Sequence, residues 1–213
     1  MNGNGAPLVP IGDELLFSNY SACLNLGGFS NISLQSGGKR IAFDIAPVNI
    51  VLNYLAQKLD KNFDENGELA EKGKINETLL SKLNALDFYH QPHPKSLGIE
   101  WCNEYIFPAL ENIQTLDALA TFTEHTAQQI ANVINQYTIK DILVTGGGAY
   151  NAFLIEKIRS KTTAEVIIPE KKIIDYKEAL IFAFMGVLRM NNEMNVLSSA
   201  TGSTNDHSSG VIA

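Results

Sequence analysis

Residues 141–151, DILVTGGGAYN, join a short apolar run to three consecutive glycines and the start of an amphipathic helix. No other segment constrains the fold as strongly. An apolar run this short, bounded by glycine, reads as a buried strand. Three glycines at its carboxyl end permit a sharp turn and close approach of a ligand to the backbone. A strand over 165–168 and an apolar, buried helix over 176–190 continue the alternation, and strands separated by helices lie parallel. The first part of the chain has a different pattern. Apolar stretches at 22–26, 30–34 and 40–45 are separated by Gly27-Gly28 and by Ser36-Gly37-Gly38-Lys39, which are hairpin signals. Three antiparallel strands followed by two parallel ones predict an α/β domain: a five-stranded mixed sheet with helices on both faces.

Helical spacing fills the gaps between strands. A short helix is expected over 11–18. Val48, Val51, Leu52, Leu55 and Leu59 mark one over 48–59, and Leu119, Phe122, Thr126, Ile130, Val133 and Tyr137 mark a long one over 116–137. A further helix is expected over 151–159. Between the two longer helices, about 60–115 reads as an insertion, polar as far as 94 with a short helical pattern at 77–86. The Ser/Gly/Asn-rich tail from 198 reads as loosely ordered. Hydrophobic residues at 45% and charged residues at 18% are ordinary for a folded domain of 213 residues.

Several function classes fall away. The formal net charge is −7, and no run of Lys or Arg could follow a nucleic-acid backbone. The longest apolar run, 179–188, is about half of the ~20 residues that span a bilayer, and no basic segment leads into an apolar one at the amino end. The expectation is a cytoplasmic protein with neither nucleic-acid nor membrane partners. Cys23 and Cys102 are too few and too far apart for a disulfide framework or thiolate zinc site, and read as core residues.

The remaining motifs each carry a plain structural reading beside a chemical one. Gly146, Gly147 and Gly148 serve a tight turn or a bound ligand; they are not a Walker A loop, since no Gly-Lys-Ser/Thr follows. In NLGGFSN, a hairpin turn alone explains Gly27 and Gly28, while Asn25 and Asn31 add amide donors that could face phosphate. DKNFDENGELAE, 60–71, suggests calcium but closes in neither register, and reads as a solvated loop with no metal site. His90 and His93 lack a third ligand and read as surface residues. Lys95 lies in a proline-flanked loop, solvated or contacting phosphate. Asp175 and Glu178 open an apolar helix, where carboxylates favour the dipole; Glu178 also stands at the edge of the core, where desolvation would suit it to proton transfer or sugar binding.

Seven motifs occur together and in order: GNGAPLVP, LNLGGFSNIS, AFDIAPVN, AEKGKIN, PKSLGIE, LVTGGGAYN and KEALIFAF. In this arrangement the chain resembles the carboxyl-terminal part of the anhydro-N-acetylmuramic acid kinases, nearly end to end. The resemblance implies the actin-like ATPase superfamily, in which two ribonuclease-H-like domains close over ATP and Mg2+. Residues 1–213 would be the second such domain. It also implies a reaction: opening of the 1,6-anhydro ring by water and transfer of the γ-phosphoryl group to the sugar 6-oxygen, in cell-wall recycling. By position, Gly146, Gly147, Gly148 and Asn151 fall on the family's adenosine-side loop. Asn25, Gly27 and Gly28 fall on its second phosphate hairpin, Asp44 on a nucleotide-side carboxylate, and Glu178 on the carboxylate near the sugar.

The family's catalytic base and first phosphate loop precede its G-x-G-A-P-L-V-P loop, which places the base upstream of Met1. No catalytic residue is therefore expected in this chain, and the turn-rich opening, NGNGAP, is what an excised domain, a truncated gene or half of a split enzyme would show. The implied partners are the missing amino-terminal domain, an amino-sugar substrate and a second copy in a homodimer. One departure stands out: Asp44-Ile45-Ala46-Pro47-Val48-Asn49 replaces the family's Asp-Thr-Gly-Pro-Gly-Asn. A different class of protein remains as the alternative, a non-catalytic domain of the same fold that binds a nucleotide or a partner.

Overall fold

The structure, a computed structural model, describes residues 5–211. Met1, upstream of which the catalytic base is expected, and the turn-forming residues 2–4 lie outside the described residues. The centre of the fold is β1 (Ala22–Leu26), which pairs antiparallel with β2 (Phe29–Ser36) and parallel with β4 (Asp141–Thr145). β3 (Lys39–Pro47) extends the sheet beyond β2, and β5 (Glu165–Ile167) lies parallel to β4, giving the order β3-β2-β1-β4-β5. This is the expected five-stranded mixed sheet.

Side-chain alternation along the strands assigns the two faces. Ala22, Leu24 and Leu26 of β1, with Ile142 and Val144 of β4, enter the larger core. That core lies under α2 (Asn49–Gln57), α7 (Thr115–Gln136) and α8 (Ala152–Arg159). Cys23, Leu143 and partly buried Ile167 face the other way, toward α1 (Pro10–Leu16) and α9 (Lys171–Met190). Helices therefore cover both faces, unequally. Strand positions 25, 31, 33 and 44, on the α1 and α9 side, hold Asn, Asn, Ser and Asp rather than apolar residues.

The insertion carries more structure than the solvated loop expected over 60–71 and the short helix expected over 77–86. It folds into α3 (Glu68–Lys72), α4 (Glu77–Asn84), α5 (Ile99–Trp101), a π-helical turn (Cys102–Ile106) and α6 (Phe107–Leu110), and sends Ala70, Leu83, Ile106 and Leu110 into the larger core. Asp64 is buried and accepts the N–H groups of Leu69 (2.8 Å) and Ala70 (3.0 Å), so the carboxylate expected in solvent serves a helix start. Its polar composition hid this, because short helices bury only a few residues each.

A buried polar network fixes α4 to α7. His125 Nδ1–H donates to Asn84 Oδ1 (2.6 Å), and its Nε2 accepts from Tyr89 O–H (2.8 Å). Gln129 donates to the same Asn84 oxygen at 2.9 Å, while Asn84 donates to Gln128 at 2.8 Å. Burial pushes the imidazole pKa down to about 3. The residue before His125, Glu124, meets Lys161 at 2.6 Å, Lys157 at 3.6 Å and a Gln128 N–H at 2.8 Å. Burial alone would raise its pKa, but these partners lower it.

Two further expectations change. α9 starts at Lys171, five residues before the expected 176, because a basic pair at a helix amino terminus opposes the dipole and conceals the start. Nor is it buried all round: Tyr176, Leu180, Phe182, Val187 and Met190 are exposed. The tail is not loosely ordered over its described part: it carries α10 (Ser198–Thr201), a bridge between Val196 and His207, and Ser199 O–H donating to the Arg40 carbonyl at 2.6 Å.

Candidate functional site

A cavity of about 930 Å³ opens at the carboxyl ends of β1 and β4, where parallel strands deliver their loops. It lies on the sheet face that α1 and α9 only partly cover. Asn25, Gly27 and Asp44 line it from the meander, Gly146 and Gly147 from the triple-glycine loop, and Glu178 from α9. Two motifs distant in sequence, the hairpin glycines and the triple glycine, thus meet in one wall.

The three glycines have different tasks. Gly146 sits at φ +83°, and a Cβ there would lie 2.5 Å from Asn25 Oδ1 and 2.8 Å from the Leu26 backbone. A Cβ on Gly148 would lie 2.7 Å from Leu26 Cβ. These two glycines let the loop press against the end of β1. Gly147 is different: the nearest atom to its Cβ position is Asn49 Nδ2, 3.7 Å away, and it faces the cavity. Asn49 in turn donates to the Leu26 carbonyl at 3.1 Å, fastening the start of α2 to the same turn.

Gly28, Gly148 and Asn151 do not line the cavity. Asn151 caps α8 through its Oδ1, which accepts Leu154 N–H at 3.0 Å. A 3₁₀ turn, Gly147–Tyr150, separates the glycines from that helix. The start of α8 is therefore displaced from the glycines and partly satisfied by its own cap. Tyr150 O–H donates instead to Asp175 Oδ1 (2.6 Å), tying the loop to α9, and this bond pushes the phenol pKa up to about 12.

The acidic residues also differ from expectation. Glu178 is exposed to the cavity rather than set at the core edge, and as the eighth residue of α9 it is not a first-turn carboxylate. Its neighbour Lys177 is the buried one, 6% exposed, with its ammonium 2.6 Å from Oδ1 of Asp13, itself 3% exposed. This pair joins α1 to α9 at the cavity wall, with Lys177 also 5.2 Å from the Phe17 ring centroid. Sequence reasoning missed it, since nothing local to a lysine in an apolar helix reveals its remote partner. Burial raises the Asp44 pKa, against a lowering by the Leu97 N–H that its Oδ2 accepts at 2.8 Å.

Lys95 lines the cavity but is tied to its own loop. Its ammonium donates to the Phe88 carbonyl at 3.0 Å and stands 4.7 Å from the Phe88 ring centroid, which anchors the loop. In the departing segment 44–49, Ile45 and Val48 turn into the larger core, so their bulk does not enter the cavity. The base expected upstream of Met1 falls outside the described residues, which supply the cavity wall alone. Among the described residues no three His, Cys, Asp or Glu side chains gather to hold a metal. A lone carboxylate such as Asp44 suits Mg2+ only in the way nucleotide sites use it, with phosphate oxygens completing the shell.

The sheet order, the helices on both faces and the cavity at the switch between β1 and β4 define an actin-like ATPase-fold domain. Two solved structures share the fold. The activator of the 2-hydroxyisocaproyl-CoA dehydratase from Clostridium difficile, solved with bound ADPNP, aligns at TM-score 0.53 and 13% identity over 86% of this chain and 66% of that one. The Acidaminococcus fermentans (R)-2-hydroxyglutaryl-CoA dehydratase component A aligns at 0.52 and 17%, over 81% and 63%.

Sequence comparison narrows the class. The anhydro-N-acetylmuramic acid kinase family profile matches residues 1–213, and the chain belongs to that family. It is 36% identical to the Haemophilus influenzae anhydro-N-acetylmuramic acid kinase over 99% of this chain and 62% of that protein. Against the Hydrogenovibrio crunogenus kinase, identity is 32%, over 99% and 61%. The chain thus spans about three fifths of the length of these relatives.

Proposed function

We propose that this chain is the nucleotide-side portion of an ATP-dependent kinase that converts 1,6-anhydro-N-acetylmuramic acid to N-acetylmuramic acid 6-phosphate, a cytoplasmic step of peptidoglycan recycling. The observation that carries this reading is the single cavity wall in which Asn25, Gly27, Gly146 and Gly147 meet while Glu178 faces them from α9. Backbone N–H groups at a glycine-rich turn and side-chain amides recognise phosphate. Glu178 and Asp44 are acceptors for sugar or ribose hydroxyls, and Asp44 is the carboxylate available to a phosphate-bound Mg2+. ATP with Mg2+ supplies the transferable phosphoryl group; the residues of this chain position it.

Phosphoryl transfer depends on positioning and on charge stabilisation from both sides of the phosphates. In our reading the general base and the first phosphate loop belong to an amino-terminal domain, ahead of Met1, so the described residues alone do not turn over. A second reading, a non-catalytic domain of the same fold that binds a nucleotide or a partner, is favoured by segment 44–49, which lacks a glycine for close ligand approach. Coupled ADP release with the anhydro sugar separates the two. It is measured on this chain alone and on the same chain with the amino-terminal portion of the Haemophilus influenzae relative fused ahead of residue 1. Turnover by the fusion only is expected. Turnover by neither protein would overturn the kinase reading, and turnover by the chain alone would overturn the placement of the base ahead of Met1.

A further inference from the structure

α1 and α9 meet at two points, one residue apart on α1 and one turn apart on α9. Gly12 lies so close to Ile181 that a Cβ there would overlap the Ile181 side chain, and the buried Lys177 ammonium stands 2.6 Å from Oδ1 of buried Asp13. Around them Ile11, Phe17, Met185 and Leu188 form a small apolar cluster. Cys23 of β1 adjoins the pair: burial, and after it the Asp13 charge, push its thiol up to about 12, which keeps a protonated neighbour beside the carboxylate. Apolar burial is non-directional and by itself sets the roll of a helix about its own axis only loosely. A buried ion pair is directional. Replacing both of its partners by neutral groups of similar volume often leaves stability unchanged, so such a pair is better suited to fixing geometry than to adding stability.

We propose that Asp13 and Lys177 are a positioning pair for Glu178: by setting the roll of α9 they aim the Glu178 carboxylate into the cavity, at the substrate sugar. The inference rests on the kinase reading for the sugar alone. Glu178 follows Lys177 directly, about 100° further round the helix, and lines the same cavity that Asp13 and Lys177 border. At a side-chain radius of about 5–6 Å, a roll of roughly 20° carries a carboxylate about 2 Å. A misplacement of about 1 Å can cost about 10²-fold in rate. The other tie on this part of α9, from Tyr150 O–H to Asp175, is exposed, so water competes for both of its partners. The buried pair is the tie that water does not loosen.

The test replaces both charges at once, Asp13→Asn with Lys177→Met, so that no buried charge is left unpaired. Ile181→Ala, which removes apolar contact at the same crossing and keeps the pair, is the control. In the chain alone, thermal midpoints are followed by circular dichroism, and crystal structures of the parent and both variants are compared. The paired variant should melt within about 4 °C of the parent, with the Glu178 carboxylate moved by about 2 Å or more. Ile181→Ala should melt lower by about 5 °C or more, with Glu178 in place. In the chain with the Haemophilus influenzae relative's amino-terminal portion fused ahead of residue 1, the paired variant should lower kcat/KM for the sugar by about tenfold or more and leave KM for ATP within about twofold. In a Glu178→Gln background the same two substitutions should cost less than about twofold, because their effect passes through the missing carboxylate. A Glu178 that does not move, an equal loss in the Glu178→Gln background, or a paired variant that fails to fold would each overturn the proposal. A parent fusion that releases no ADP would reject the kinase reading, and the crystal comparison would then decide the aim of Glu178 by itself.

Discussion

His125 shows how one buried group couples the fold to pH. Both ring nitrogens are engaged in the neutral form, and a second proton would convert the acceptor facing Tyr89 O–H into a donor. The folded pKa is lowered to about 3 from an ordinary 6.5. Between those values the unfolded chain binds the extra proton, so stability falls as pH drops from 6.5 toward 3, by at most about 1.4 kcal/mol per pH unit, and is fully present above 6.5. Urea unfolding at pH 7.5, 6.0 and about 5.0 should show that slope, and His125→Gln should flatten it; an equal slope in the variant would assign the effect elsewhere. Glu124 contributes in the same sense at lower pH, because its lowered pKa gives stability that is lost as pH falls through the folded value. At the cavity, Glu178→Gln in the fused protein should cut turnover tenfold or more if the carboxylate works on the sugar, on the usual scale of about 10² to 10⁴ for acid–base groups. Its thermal midpoint should not move, because Glu178 is exposed and caps nothing.

The triple-glycine turn separates packing from ligand access within three residues. Gly146→Ala places a Cβ against the Leu26 backbone at a φ that alanine avoids, and should cost about 2–4 kcal/mol in urea unfolding. Gly147→Ala meets nothing closer than 3.7 Å, and should change stability by less than about 0.5 kcal/mol while weakening nucleotide binding in the fused protein. If Gly147→Ala unfolds the chain, or leaves nucleotide affinity intact, the assignment of that backbone to ligand approach fails. α9 is the other element with divided duties: it buries Lys177 against Asp13 while holding Glu178 toward the cavity one residue later.

At the scale of the whole molecule, the consequence of a one-sided cavity is weak nucleotide binding. Phosphates in a two-domain site are held from both sides, so isothermal titration of this chain with ATP and Mg2+ should give a dissociation constant above about 100 µM, short of the μM binding that corresponds to roughly −8 kcal/mol. Micromolar affinity for the chain alone would show that one wall suffices. The fused protein should bind at least tenfold more tightly. Loss of binding in both would reject the assignment of this cavity to a nucleotide.

The five-stranded mixed sheet and the helix-covered faces were legible in the sequence because strand and helix periodicities, hairpin glycines and the triple glycine are local signals, each generated within a few residues by backbone sterics and amphipathicity. Of the candidate site, Asn25, Gly27, Asp44, Gly146, Gly147 and Glu178 were legible by resemblance and share the cavity lining. What each residue does there was not legible. That Gly148 packs on Leu26, that Asn151 caps a helix, that Lys95 is bound to backbone carbonyls and that Lys177 is buried on Asp13 are decided by partners brought near only by folding. Periodicity tells a residue which side of its own element it occupies. Only the packing of elements determines whether that side meets a core, a cavity or water, because burial and hydrogen bonding are properties of the assembled neighbours and not of the chain that supplies them.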